Sequence, residues 1–188
     1  MRRLALALAA MFALAALYAG WTANDAPAAA KLAAAAWERV ESEFRSRAAY
    51  AEKIAATAAA LNPGEKALPA RIAAARAAVL ALPPDPAAPA SRARFQAFMK
   101  VQDALSDELG LVLDMLRLYP DQARSGPVRL VFDELELKES HIVVARSDYA
   151  AQARRHNQII AEAPSSWVAA TFHPEAKPLV ASFDADKG

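Results

Sequence analysis

Prolines and turn residues divide this chain into four long segments that are rich in alanine and leucine. The breaks lie at residues 62–64, 83–90 and 120–127, and only five glycines occur among the 188 residues. Alanine loses no side-chain entropy in a helix, whereas proline inside a helix removes a backbone hydrogen bond and clashes with the preceding turn. The sequence therefore predicts an all-α fold built from long helices.

Apolar residues recur along these segments at spacings of three and four. We predict helices over residues 24–61, 65–82, 91–119 and 128–163, with Ser91 as the N-cap of the third. The apolar stripes of the first and third helices are narrow, which suits packing at angles of about 20°. The expected architecture is an elongated antiparallel bundle of about four helices, preceded by an N-terminal transmembrane helix.

The predicted organisation has three parts: an N-terminal segment (residues 1–23), the helical bundle (24–164) and an irregular C-terminal tail (165–188). The tail shows no helical period. Three aromatic side chains in it are expected to pack back on the bundle: Trp167, Phe172 and Phe183.

The N-terminal segment begins with Arg2 and Arg3 and continues as an uncharged run to Trp21. This run is at the short end of what spans a hydrocarbon core of about 30 Å, and Tyr18 and Trp21 fit an interfacial aromatic belt. The two arginines place the N-terminus in the cytoplasm and the body in a periplasm. We predict a single-pass anchor in a bacterial inner membrane, with a cleaved signal peptide as the alternative.

Charge and cysteine content exclude several classes of function. Twenty-two basic and 21 acidic residues leave a net charge of +1, which gives no electrostatic basis for binding nucleic acid. The absence of cysteine excludes disulfides, thiolate zinc sites, thiol catalysis and a lipoprotein anchor.

The last predicted helix carries polar residues on an apolar stripe. This stripe contains Glu139, Ile142, Arg146, Tyr149, Ala153, Asn157 and Ile160. Arg47 lies on the apolar stripe of the first helix, and an unpaired buried charge costs several kcal/mol. We therefore predict a structural polar network of Arg47, Glu139, Arg146, Tyr149 and Asn157. Alternatively, these side chains lie at the edge of the stripe and extend to water.

The same polar positions belong to a longer pattern of scattered residues. It runs through Tyr119, Pro120, Glu139, Ile142, Ala145, Arg146, Tyr149, Asn157 and Pro164. This spacing resembles the C-terminal signature of the LemA family, and "WERVESEFRSR" at residues 37–47 resembles another segment of that family. The resemblance implies a bacterial, single-pass anchored, antiparallel helical bundle. It also implies an association with membrane proteases and other envelope proteins, near which such proteins are often encoded.

The sequence contains no G-x-S-x-G, P-loop or HExxH motif. A di-iron bundle needs Glu-x-x-His pairs, but the residue three after Glu139 is Ile142. We interpret His141 and His156 as solvated helix residues and His173 as part of a turn. The prediction is a protein that is not an enzyme and has no cofactor or metal.

The predicted function is that of a membrane-anchored scaffold or adaptor for other envelope proteins, with membrane proteases among the candidate partners. Self-association through an alanine-rich helix face is a further candidate interaction. The alternative function is a periplasmic binding or chaperone-like helical domain that signal cleavage releases from the membrane.

Overall fold

A computed structural model describes residues 23–64 and 66–183, together with isolated positions 9, 11, 13, 14, 17, 18 and 20. Over the two continuous ranges all the regular structure is helical. The helices are α1 (Asp25–Leu61), α2 (Ala67–Ala81), α3 (Arg92–Leu118), α4 (Pro120–Ala123), α5 (Gly126–Ala161) and α6 (Ser165–Phe172), and a 3₁₀ turn (Ala88–Ala90) precedes α3.

The two longest helices, α1 and α5, pack side by side in opposite directions. Near the start of α1, Arg39 lies 3.8 Å from Asp148 in the second half of α5. Further along α1, the Tyr50 hydroxyl donates to the carbonyl oxygen of Val131 near the start of α5, at 3.1 Å. Advancing along α1 therefore means going back along α5.

The helix α2 returns along α1 in the same antiparallel sense. Arg45 donates to the carbonyl oxygen of Leu82 just beyond α2, and Glu52 pairs with Arg76 at 2.8 Å. After the proline-rich connector, which we define as residues 83–90, α3 runs parallel to α1, since Trp37 contacts Phe95 and Arg47 contacts Ser106 further along both helices. Together α1, α2, α3 and α5 form an up-down-up-down four-helix bundle.

Two hydrophobic clusters fill the bundle. The first joins all four long helices through an alanine-rich seam of α1, and its buried members include Ala48, Ala51, Ile54, Ala58, Ile72, Leu105 and Leu135. Small side chains let the helix backbones approach closely. The second cluster is aromatic and lies toward the start of α1, where Trp37 packs 5.0 Å from Phe98 and 5.3 Å from Tyr149, measured between ring centroids.

The ends of the helices follow local rules. The Ser91 hydroxyl accepts from the backbone N–H of Arg94 and caps α3 as predicted. The helix α5 starts two residues earlier than the predicted 128, because Pro127 fits the first turn, where its missing N–H has no helical partner. The turn predicted for residues 121–127 overlaps the short helix α4.

The C-terminal tail differs from the prediction. It is not irregular throughout, because Ser165–Phe172 forms α6. This helix buries Val168 and Ala169 and leaves Trp167 69% exposed and Phe172 57% exposed, so the prediction that these two rings pack on the bundle is wrong. The third ring, of Phe183, does pack, with its centroid 5.1 Å from that of Phe95.

The predicted membrane anchor, residues 1–23, lies outside the described residues except at isolated positions. In the part of the chain that the structure describes, none of the helices combines the length and the apolar character needed to cross a bilayer.

Candidate functional site

A buried arginine connects three helices at the middle of the bundle. Arg47 of α1 is only 2% exposed. Its Nη1 donates to the Ser106 hydroxyl at 2.8 Å and to Oε1 of Glu139 at 3.1 Å, and its Nη2 donates to the carbonyl oxygen of Gln102 at 3.1 Å. The planar guanidinium thus binds α3 with both terminal nitrogens and α5 with one of them, a geometry that a lysine ammonium could not reproduce.

The two partners of this ion pair lie in different environments. The Glu139 side chain is 44% exposed, so its carboxylate keeps part of its hydration while it neutralises Arg47. A half-exposed carboxylate loses less hydration energy than a buried one, and the attraction to Arg47 is correspondingly screened by water. The Arg47 guanidinium also lies 5.1 Å from the ring centroid of Phe44, within cation–π distance.

The other predicted members of the network lie further along α5, against the C-terminal segment. We call residues 177–183, which have no regular secondary structure and lie along the second half of α5, the clamped segment. The guanidinium carbon of Arg146 lies 4.4 Å from the ring centroid of Phe183 in this segment. Tyr149 and Asn157 form hydrogen bonds with the backbone of the clamped segment. The structure therefore brings Arg47 and Glu139 together and places Arg146, Tyr149 and Asn157 at a second site.

Asn157 holds one residue of the clamped segment by both of its backbone groups. The Asn157 Nδ2 donates to the carbonyl oxygen of Leu179 at 2.7 Å, and the backbone N–H of Leu179 donates to Asn157 Oδ1 at 2.7 Å. A side-chain amide offers the donor and acceptor that this pairing requires, whereas an ionised aspartate offers no donor and leucine offers neither. This explains an asparagine on an otherwise apolar stripe.

Further bonds fix the clamped segment on both sides. The buried Tyr149 hydroxyl donates to the carbonyl oxygen of Val180 at 2.7 Å, and burial raises its pKa, which keeps the hydroxyl protonated as a donor. From the opposite side, the backbone N–H of Val180 donates to the carbonyl oxygen of Pro89 in the 3₁₀ turn at 2.8 Å. The segment therefore lies between α5 and the proline-rich connector.

The connector itself is held by two side chains of α1. The Trp37 Nε1 donates to the carbonyl oxygen of Asp85 at 3.1 Å, and the backbone N–H of Asp85 donates to Glu41 Oε1 at 2.8 Å. Arg94 at the start of α3 pairs with the Asp85 carboxylate at 2.8 Å. The side chain and both backbone groups of Asp85 are therefore bonded, which fixes the connector on the bundle.

Three buried polar residues were not predicted as such from the sequence: Glu41, Gln102 and His156. Glu41 is buried and lies on the stripe of Trp37 and Phe44, so its position was a usable signal. Gln102 accepts the hydrogen bond from Arg47 through its backbone carbonyl, and a backbone acceptor cannot be recognised from the residue type. The prediction that His156 is solvated is wrong: it is 3% exposed and lies on the inward stripe of α5, seven residues after Tyr149.

The fold and these contacts define a class of protein: an all-α, up-down-up-down bundle with a charged side chain in its core and a C-terminal segment without regular structure that side-chain hydrogen bonds fix to it. More narrowly, a model described as "LemA family" matches residues 36–187, so the chain belongs to the LemA family. The matched range contains α1 from residue 36 onward and includes the clamped segment. No curated protein and no solved structure matches the chain.

The ion pair makes a quantitative prediction. Glu139→Gln should lower the free energy of unfolding by about 1–2 kcal/mol, because Arg47 keeps its burial and loses its charged acceptor while water reaches the half-exposed site. Urea unfolding followed by the helical circular dichroism signal measures this. Glu136→Gln, at an exposed position of α5, is the control and should cost less than about 0.5 kcal/mol. Equal costs for the two variants, or an unchanged Glu139→Gln effect in an Arg47→Met background, would contradict the pairing.

The clamped segment gives a second prediction. Asn157→Leu removes both hydrogen bonds to Leu179, so the Leu179 amide should exchange with deuterium at least about tenfold faster. Hydrogen exchange measured by NMR reports this rate residue by residue. Gln158→Leu, which also replaces a side-chain amide by leucine but at the neighbouring exposed position, should leave the Leu179 exchange rate unchanged. If the Leu179 amide of the Asn157→Leu variant exchanges at the same rate as in the native protein, the asparagine does not hold the segment.

Proposed function

We propose that the protein is a single-pass, membrane-anchored adaptor of the bacterial envelope, with residues 1–23 as the anchor and the bundle in the periplasm. The LemA family membership supports a protein of this type. Within this proposal α1 begins at Asp25, directly after the apolar run, so the bundle extends away from the membrane. A helix of 37 residues is about 55 Å long, and it would carry the far end of the bundle that distance from the bilayer.

One observation supports an adaptor in particular: exposed leucines concentrate at the end of the bundle that would lie far from the membrane. Leu111, Leu113 and Leu118 lie in the last part of α3, and Leu130 lies at the start of α5. Leu118 is 76% exposed, and Leu111 lies on the same helix face, two turns earlier. Grouped exposed apolar side chains are typical of protein interaction sites. The proposed partner is a membrane protein that presents an apolar surface in the periplasm.

Contacts at the start of α1 argue against a signal peptide that is cleaved near Ala28, whereas cleavage near Ala19 or Gly20 would leave these contacts in place. Ala26 is buried, and Nε2 of His173 lies 2.8 Å from the carbonyl oxygen of Ala23. Cleavage near Ala28 would remove both of these contacts from the mature protein. A segment that contributes to the packing of the bundle fits an anchor that stays attached.

Anchoring and sidedness can be tested together because the chain contains no cysteine. A single Ala49→Cys at an exposed position of α1 should react with a membrane-impermeant maleimide in cells whose outer membrane is permeabilised. A cysteine inserted after Met1 is the control and should react only after lysis. The intact mass should include residues 1–28. The reverse labelling pattern would contradict the proposed orientation, and a mass lacking these residues would favour the released periplasmic domain.

The adaptor role is tested by crosslinking from matched leucines. A photo-crosslinking residue at Leu118 should form an adduct with a second membrane protein, whereas the same residue at Leu32, an exposed leucine near the start of α1, should not. Leu130→Asp should abolish the Leu118 adduct without changing the helical signal, since a charge opposes apolar contact. Recovery of only the protein itself at Leu118, or the same adduct at Leu32, would contradict the adaptor proposal.

A further inference from the structure

The short helix α6 lies at the end of the bundle where α1 begins. In the antiparallel pair of α1 and α5, Arg39 lies beside Asp148. Asp25, the first residue of α1, precedes Arg39 by 14 residues, and Ala161, the last residue of α5, follows Asp148 by 13 residues. The start of α1 and the end of α5 are therefore at the same level. Because only residues 162–164 separate α5 from α6, α6 begins at this level, opposite to the exposed leucines of the distal end.

Both ends of α6 lie beside the first residues of α1. At its first residue, Ser165 lines a surface cavity together with Asp25. Directly after its last residue, Nε2 of His173 lies 2.8 Å from the carbonyl oxygen of Ala23. The eight residues of α6 extend over about 12 Å. Since the two ends are held at points only two residues apart in the chain, α6 crosses the end of the bundle and does not run along it.

The two sides of α6 have different surroundings. Val168 and Ala169 are buried on one side. Trp167 is 69% exposed, and at about 100° per residue it lies about 200° from Ala169, on the side that faces away from the bundle. Thr171, one turn after Trp167, is exposed on the same side. Phe172 at the last position is also exposed, and none of the eight residues carries a charge. The exposed surface of α6 is therefore uncharged, and its largest side chains are aromatic.

A lipid surface is the environment that suits this side of α6. The indole ring combines a large apolar area with an N–H donor, and tryptophan is accordingly enriched where acyl chains meet headgroups. Within the proposed function the apolar run ends at Trp21, two residues before Ala23, which places the bilayer surface next to α6. A helix parallel to that surface inserts its apolar side by about 5–10 Å. The bilayer is therefore the nearest apolar phase that Trp167 can enter.

The charges that flank α6 are of both signs. Glu162 precedes the helix, and Glu175 and Lys177 follow it. Such a mixture gives no strong attraction to an anionic membrane surface. A contact between α6 and lipid therefore depends on the aromatic side chain and not on the headgroup charge, so a zwitterionic lipid is a sufficient probe.

We propose that α6 is an interfacial helix, which lies parallel to the membrane surface and inserts Trp167 between the lipid headgroups and the acyl chains. The inference rests on the proposed anchor, since the anchor brings this end of the bundle to the bilayer. A single span fixes the distance of the bundle from the bilayer, and a second contact about 12 Å long also restricts its tilt. The distal leucines are then held away from the membrane, where a partner reaches them.

The test uses nitroxide labels, because the chain contains no cysteine and each label site can be introduced singly. The full chain is placed in nanodiscs of phosphatidylcholine, a zwitterionic lipid. Electron paramagnetic resonance measures collisions of the label with oxygen, which concentrates in lipid, and with a nickel chelate, which stays in water. The labelled variants are Thr171→Cys on the outer side of α6, Ala49→Cys at an exposed position far along α1, and Ala10→Cys within the proposed span.

The Thr171 label should collide with the nickel chelate at least about fivefold less often than the Ala49 label, and more often with oxygen. Trp167→Ser should return the Thr171 label to the Ala49 values without changing the helical circular dichroism signal, since Trp167 is exposed. Leu32→Ser, which removes an exposed apolar side chain from α1 instead, should leave the Thr171 label unchanged.

Three results would each overturn the proposal. They are a Thr171 label as open to water as the Ala49 label, shielding from the chelate without more oxygen collisions, which indicates protein contact, and shielding that persists in Trp167→Ser. The Ala10 label separates this proposal from the anchor. If the Ala10 label is in lipid while the Thr171 label is in water, the anchor stands and the interfacial helix fails. An Ala10 label open to the chelate contradicts the anchor itself, and the interfacial helix with it.

Discussion

The guanidinium of Arg47 gives a definite register to a bundle whose packing alone would specify it weakly. Much of α1 faces its neighbours with alanine, and a seam of small, similar side chains changes little when one helix slides along another. Hydrogen bonds and ion pairs, in contrast, depend on distance and angle, so such a displacement of one helix would break them. Arg47 contacts the Ser106 hydroxyl and the Gln102 carbonyl of α3 together with the Glu139 carboxylate of α5, so one side chain fixes three helices at one level. Because the buried charge has to be paired, other registers are penalised.

The second structural constraint is the space between the first half of α3 and the second half of α5. The clamped segment occupies it in place of a closer helix contact, and Phe183 packs there against Phe95 and Tyr149. A chain without regular secondary structure in this position leaves backbone groups without the partners that a helix or a sheet would supply. Asn157 and Tyr149 of α5 and the carbonyl of Pro89 meet that requirement. Polar residues on the inner face of α5 are therefore a consequence of what this face covers.

Most of the helical fold could be predicted because its signals are local. Proline, the Ser91 cap and the three-to-four spacing act within a few residues, and the long helices begin and end close to where these signals place them. Arg47 and Glu139 could also be predicted as neighbours, because each lies on the inward stripe of its helix and their charges are opposite. The partners of Tyr149 and Asn157 could not be predicted, since they are backbone atoms of a segment with no periodic pattern. The prediction that His156 is solvated was wrong because it rested on the residue type and not on the position of His156 on the inward-facing stripe of α5.

The way in which the C-terminal segment is held has a consequence for its stability. A helix or a sheet strand is released cooperatively, because each of its hydrogen bonds depends on its neighbours. The clamped segment is held instead by separate side chains, each forming one or two bonds, by one backbone hydrogen bond to Pro89 and by the ring of Phe183. Segments of this kind open at lower free energy than the core helices.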